Sequence, residues 1–302
     1  MKLQEIIANN SSVLVNDLAF DSVLAGEIQT RLISLGCLDP PADGDFGTVS
    51  KFVLGEFARQ AGINYQEVVD KPLAESLLDN SATSFIPLAL GNDFGSRIVK
   101  YMQLRNYWIA RLPGFLNIVY VEGADADGSP NADKSNIFND RRIVFAIAGG
   151  KPEIKFNVLA TTEPGKFYTE HPLNAGGAAR IAFNQYKAWR VGIHHAASPS
   201  RHEALVQVGI ISVHRDLNKD GKRIGDAIDV GSGFAINQHS GHNADANNIG
   251  KASAGCLVGR SHDEHKEFMK LVKTDPRFKK ALNGYKYIST VIAGDDLKDK
   301  IG

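Results

Sequence analysis

The apolar residues of this chain change their spacing once, at Leu112-Pro113-Gly114, and that change limits the fold to a helical part followed by a β-rich part. Before it, Ile28, Leu32 and Leu35 share one helical face, Gly36 follows as a stop, and Phe52, Val53, Phe57 and Ala58 supply a second face. Helical spacing resumes at Ile98, Tyr101, Met102 and Leu104 to Ile109, so residues 85–111 are expected to form a helical brace. After it come short runs, FLNIVYVEG, RRIVFAIAGG, KFNVLATTEPG, AWRVGIHH and ALVQVGIISVHRD, separated by Gly, Pro, Asn and Asp turns, as expected of a mostly β domain. A helix over about Asp263 to Val272 and a strand over Tyr285 to Ala293 complete the pattern. The expected class is α+β multidomain, divided at 1–80, a helical connector 81–112, and 113–302.

A chain of 302 residues has room for two domains. Lys+Arg and Asp+Glu both total 34, so no basic excess draws it to nucleic acid or anionic lipid. No apolar run approaches the roughly 18 residues of a membrane span. The opening MKLQEIIANN is broken by Glu5, Asn9 and Asn10 and lacks a secretory apolar stretch. The two cysteines, Cys37 and Cys256, lie far apart, which argues against a disulfide framework; Cys37 reads as a small core hydrophobe.

Between the first two helical faces, Asp39-Pro40-Pro41-Ala42-Asp43-Gly44-Asp45-Phe46-Gly47 must make at least two tight turns. With its flanks, from Ile28 to Gly62, this segment resembles the peptidoglycan-binding module of wall hydrolases: a Leu-rich helix ending in Leu-Gly, an Asp-Gly-x-Phe-Gly loop, and a helix ending in Phe. The resemblance implies a small three-helix module, with Asp43, Gly44, Asp45, Phe46 and Gly47 as its wall-binding residues and peptidoglycan as its partner.

The segment GFAINQHSGHNADANNIGKASAGCLVGR carries the chemistry. A thiol attacks only as thiolate, and an imidazole nearby can take its proton. A glycine beside the nucleophile lets a carbonyl approach backbone N–H groups. The pattern resembles the catalytic motif of the L,D-transpeptidases, the YkuD-like cysteine enzymes of peptidoglycan crosslinking. That resemblance implies Cys256 as nucleophile, His239 as general base, Ser240 as the group whose carbonyl orients the imidazole, and Gly255 with Cys256 as oxyanion-hole amides. Ser253, Arg260, His242 and Trp189 are the candidate substrate contacts. Two positions depart from the family: its second His, two residues before the cysteine, is Ala254, and its polar residue two places after is Val258, a role Arg260 is placed to take over. The implied fold is a mostly β L,D-transpeptidase-like domain with peripheral helices. Its implied activity is acyl transfer or hydrolysis on stem peptides, with no cofactor and no metal.

Two other readings stand beside it. A zinc-dependent peptidoglycan peptidase would draw its ligands from His194, His239 and His242, although HSGHNAD lacks the HxxGxAxD spacing of the zinc D,D-peptidases. The pair His194-His195 otherwise reads as polar residues ending a strand beside the cleft. A wall-binding component of a phage tail or contractile injection machine would fit the missing secretory signal, as would release by a holin. Asp216 to Gly221 imitates half a calcium loop, but Ala227 stands where the bidentate carboxylate belongs, so this stretch, like Asp125 to Gly128, reads as a polar turn. Trp189, Tyr186 and Tyr168 suit a groove lining or a core equally well.

Overall fold

The computed structural model describes residues 1–302. Its N-terminal part is helical: α1 (Leu3–Asn9), α2 (Ser22–Ser34), α3 (Thr48–Gln60) and α4 (Lys71–Asp79), with a small pair of strands, β1 (Val13–Leu14) and β2 (Val68–Val69). Asp21 and Asp70 start α2 and α4 by accepting the N–H groups of Leu24 and Leu73, satisfying donors that a helix start otherwise leaves open. Ile28, Leu32, Leu35, Val53, Phe57 and Ala58 are buried together in one core, as their spacing predicts, and Cys37 is among them. Four α-helices, rather than three, close this core.

The next segment corrects the expected helical brace. After the short α5 (Ala82–Phe85), the helix α6 spans Phe94–Leu104 and stops, because Asn106 takes a left-handed φ of 55°. Residues 107–112 run on without helix between helices and sheet, where Ile109, Ala110 and Leu112 are buried and Tyr107 and Trp108 half-buried. The Trp108 indole donates to the Ile33 carbonyl, and the Arg111 amide donates to the Gly36 carbonyl. Ala110, Leu112 and Phe115 belong to the helical core. A buried ion pair ties the two parts further: Arg277 reaches Asp39 at 2.5 Å while also holding Asp275.

The second part is a closed eight-stranded barrel. Around it lie β3 (Leu116–Glu122), β4 (Asp140–Ala148), β5 (Lys151–Thr161), then beyond α7 (Lys166–Glu170) and β6 (Ala178–Ile181), β7 (Asn184–His194) and β8 (His202–Gln207). After β9 (Ile211–Asp216) and β10 (Ala227–Gly231) come β11 (Gln238–Ser240), β12 (Leu257–Gly259) and, past α8 (His262–Val272) and α9 (Pro276–Ala281), β13 (Tyr287–Ala293) and α10 (Gly294–Ile301). The barrel order is β11-β12-β5-β4-β3-β13-β7-β8, while β10-β9-β6 forms a separate three-stranded sheet. Two barrel pairs are parallel, β11 with β12 and β13 with β3; the others are antiparallel. Every residue of β3 is buried, since alternate side chains face the barrel interior (Ile118, Tyr120) and the helices α6 and α10 outside (Val119, Val121). A strand covered on both faces loses the alternation of an exposed one, which is why FLNIVYVEG reads as a continuous apolar run. No helix is long and apolar enough to cross a membrane.

Candidate active site

The site is built on the outer face of the barrel at the parallel pair of β11 and β12. Gln238 and Leu257 are in register and fully buried, Gln238 bonding Tyr120 and Ser289 in the interior. Side chains alternate across a strand, so Asn237 and His239 on one strand, and Cys256 and Val258 on the next, share the opposite face. His239 is in register with Val258, and Leu257 N–H donates to the Asn237 carbonyl. His239 and Cys256 are therefore diagonal neighbours on one face. No hydrogen bond joins the His239 ring to Cys256 Sγ, whose partners are Asn237 and Ala235.

The local bonds fix both groups. His239 Nδ1 lies 2.9 Å from the Ser240 carbonyl; as a carbonyl only accepts, that nitrogen carries the proton and Nε2 keeps its lone pair. Cys256 Sγ accepts from the Asn237 N–H at 3.4 Å and faces the Ala235 carbonyl at 3.4 Å. Gly255 has φ +116°, and a Cβ there would lie 2.3 Å from the Ala179 carbonyl, so only glycine allows this turn. Ser253 Oγ donates to the Cys256 carbonyl and accepts the Gly255 N–H. Ser253 thus shapes the turn before Cys256 from within, being 1% exposed. The Gly255 amide, expected in an oxyanion hole, is spent on Ser253, whereas the Cys256 amide bonds no protein group.

Cys256 opens on a groove of about 500 Å³ between the barrel and the sheet β10-β9-β6, lined also by Tyr168, His194, His195, Arg215 and Asn237. Burial pushes the thiol up to about 11 against a smaller opposing pull from the Asn237 N–H. Burial, and next His194, hold His239 well below the usual imidazole range. At neutral pH the pair is a thiol beside a neutral imidazole.

His194 stacks on His239 with ring centroids 3.9 Å apart and planes 9° apart, and its Nδ1 meets the Asn237 side-chain amide at 3.0 Å. Burial first, then His195, push it down to about 4. Asn237 therefore touches both the sulfur and the second imidazole. Behind the pair, Arg142 is fully buried inside the barrel and donates to the carbonyls of His239 and Leu257, to His265 Nδ1 and to the Tyr120 hydroxyl. Gly259 makes room for it, since a Cβ there would lie 2.6 Å from a guanidinium nitrogen.

The remaining sequence candidates fall elsewhere. Trp189 is fully buried and donates to the Ile236 carbonyl, so it belongs to the core and not to the groove; Tyr186 is likewise core, and Tyr168 lines the groove. His242 packs on His202 and His262, away from Cys256, and Arg260 donates to the Ala244 carbonyl. In the helical part, Phe46 is a core residue. Asp43 and Gly44 are tied to Gln29 by side-chain and amide bonds of 2.8 and 2.7 Å. Asp45 and Gly47 of that loop are exposed.

The three histidines of the zinc reading do not converge on a point. Stacked, nearly parallel rings aim their in-plane lone pairs side by side, whereas a tetrahedral ion needs lone pairs that meet. The trio of His, Cys, Asp or Glu side chains whose ligand atoms gather within 4.8 Å is Glu122, Asp133 and Glu163. The Asp216 to Asp226 stretch is the turn between paired strands β9 and β10, where Asp216 accepts the N–H groups of Asp220 and Gly221.

No family model and no curated protein matches the chain. Among solved structures it is similar to a fused Zn-dependent amidase/peptidase/peptidoglycan-binding domain-containing protein from Clostridium acetobutylicum ATCC 824, at 12% identity over 88% of this chain and 94% of that one, with a TM-score of 0.27. A superposition that loose transfers neither fold nor chemistry.

Proposed function

We propose that this protein processes peptidoglycan stem peptides through a Cys256 acyl-enzyme, with the helical part (residues 1–80) as a wall-binding module, 81–112 as the connector and 113–302 as an L,D-transpeptidase-like domain. The observation that carries the proposal is the placement of His239 and Cys256 on one face of adjacent parallel strands, with the Ser240 carbonyl holding the imidazole in the tautomer that has a free Nε2.

The steps follow from those atoms. His239 Nε2 takes the thiol proton as the sulfur bonds the peptide carbonyl carbon, and the charge forms on the carbonyl oxygen, where the unspent Cys256 amide can donate. The carbon–nitrogen bond breaks, the leaving amine takes the proton from His239, and a thioester remains. An acceptor amine or water then attacks, gives its proton to His239, and the thiol returns. With the pair neutral at rest, the proton passes from sulfur to His239 as the sulfur bonds the carbonyl carbon, and no ion pair precedes the attack. Among the groove and loop candidates, Ser253 and Gly255 are assigned to shaping the nucleophile turn, and His194 and Asn237 to orienting the base and the sulfur. Delivery by a phage tail or injection machine has no support in these features and is not part of the proposal.

The test is turnover of purified muropeptides. Cys256→Ala and His239→Ala should each lose about 10³-fold or more, and the double variant little further, because groups acting as one unit give non-additive losses. Retained activity in Cys256→Ala, or a chelated wild type whose activity returns with zinc and not with calcium, would overturn the cysteine mechanism.

A further inference from the structure

We infer that the acidic end of the barrel, where β3 and β5 terminate, binds one hard divalent cation, calcium foremost. Glu122 closes β3, Glu163 follows β5, and the loop after β3 brings Asp133 against them, so that their ligand oxygens lie within 4.8 Å of one another. Gly123 permits the approach: its φ is +63°, and a Cβ there would lie 2.9 Å from Asp133 Cβ. The Asp133 N–H is held by Asn131 Oδ1 at 2.9 Å.

The oxygens are not all spoken for. Arg223 clasps both oxygens of Glu122, and Arg180 donates to Glu163 Oε1 at 2.8 Å. Glu163 Oε2 has no partner although the residue is only 1% exposed. Asp133, which the two guanidiniums leave unpaired, makes no side-chain bond to the protein. Asp140, the fourth carboxylate, is satisfied by the amides of Gly123 and Thr162 and the Thr162 hydroxyl. Four carboxyl groups face two guanidiniums, an acidic excess that a divalent ion would offset. Glu122 and Asp133 face a cavity of about 520 Å³ that gives an ion and its waters a way in.

A donor set made only of carboxylate oxygen suits calcium, magnesium or manganese better than zinc, and calcium accepts the widest range of oxygen geometries of the three. The site would also steady the nucleophile turn. Glu163 precedes Pro164, which bridges to Ala254, and Gly165 N–H donates to the Ser253 carbonyl. The inference does not depend on what Cys256 does.

The experiment uses the full chain, stripped with EDTA and dialysed, with calcium, magnesium, manganese and zinc chlorides as probes in calorimetric titration and thermal unfolding. Calcium should bind one to one and raise Tm by roughly 5 °C at a hundredfold excess over Kd. Asp133→Asn, at an exposed position, and Glu163→Gln should each weaken calcium by about tenfold or more. Both should keep the stripped protein's circular dichroism. No response to any probe at millimolar concentration, a response to zinc alone, or an undiminished calcium response in Asp133→Asn would overturn the site.

Discussion

Replacing Arg142 by Met tests whether a buried cation, and not the strand pairing alone, holds the two strands of the site in place. The side chain is fully buried with no carboxylate beside it, and four of its hydrogen bonds converge on the site: to the carbonyls of His239 (3.1 Å) and Leu257 (2.9 Å), to His265 Nδ1 (3.1 Å) and to the Tyr120 hydroxyl (2.6 Å). Met fills similar volume but donates nothing, so three buried acceptors lose this donor at about 1–3 kcal/mol each. The Tyr120 hydroxyl keeps Gln238. Against this stands relief of the cost of burying an unpaired guanidinium, several kcal/mol. The balance is a loss of about 3 kcal/mol, a large part of the stability of an ordinary protein. Urea unfolding at neutral pH should show it as a lowered midpoint at unchanged slope. Muropeptide turnover should fall about tenfold or more even where the variant is fully folded, because His239 loses its backbone anchor. A variant within about 1 kcal/mol of wild type with full turnover would refute the reasoning.

Three further outcomes follow. Burial pushes His265 down to about 2 with help from Arg142, and His194 to about 4. His239 is held well below its usual range. At these three histidines the unfolded chain binds protons below about pH 6.5 that the folded chain refuses, so their contribution destabilises the fold as pH falls from 6.5 towards 4, while the raised carboxyls of Asp133, Asp140 and Glu163 oppose it; His265→Gln should gain urea stability relative to wild type over that interval, and a difference that does not change with pH would contradict it. In the helical part, Phe46→Ala should cost about 3–5 kcal/mol in urea unfolding as a core deletion. Asp45→Ala, on the exposed part of the loop, should leave Tm within about 2 °C and lower co-sedimentation with purified sacculi. Unchanged sedimentation would remove Asp45 from the wall contact.

Much of this was legible in the residues. Helical spacing identified α2, α3 and α8, and the short apolar runs located β3, β4, β5, β7 and β13, because each of these elements buries a face whose period is local. The order His239, Ser240, Gly255, Cys256 pointed to one place for the same reason: the candidate segment is nearly contiguous. What escaped depends on contacts distant in sequence. Arg142 stands at the start of the run RRIVFAIAGG with no motif around it, and only barrel closure brings it under β11 and β12. His194 ends a strand some forty residues before the motif, and the register of β7 with β8 carries it onto His239. Residues 107–111 imitate a helical stripe, but their burial comes from lying between the helices and the barrel. Trp189 and Phe46 are large side chains in segments that looked functional, and packing claimed both.

The most direct test of the central claim is intact-protein mass after brief incubation with tetrapeptide and pentapeptide muropeptides followed by acid quench. The account predicts a mass gain equal to the acyl portion of the donor, mapped to Cys256 by peptide analysis, removed by hydroxylamine and absent from Cys256→Ala. Turnover of the muropeptides with no adduct on Cys256, under conditions where Cys256→Ala turns over equally fast, would contradict it.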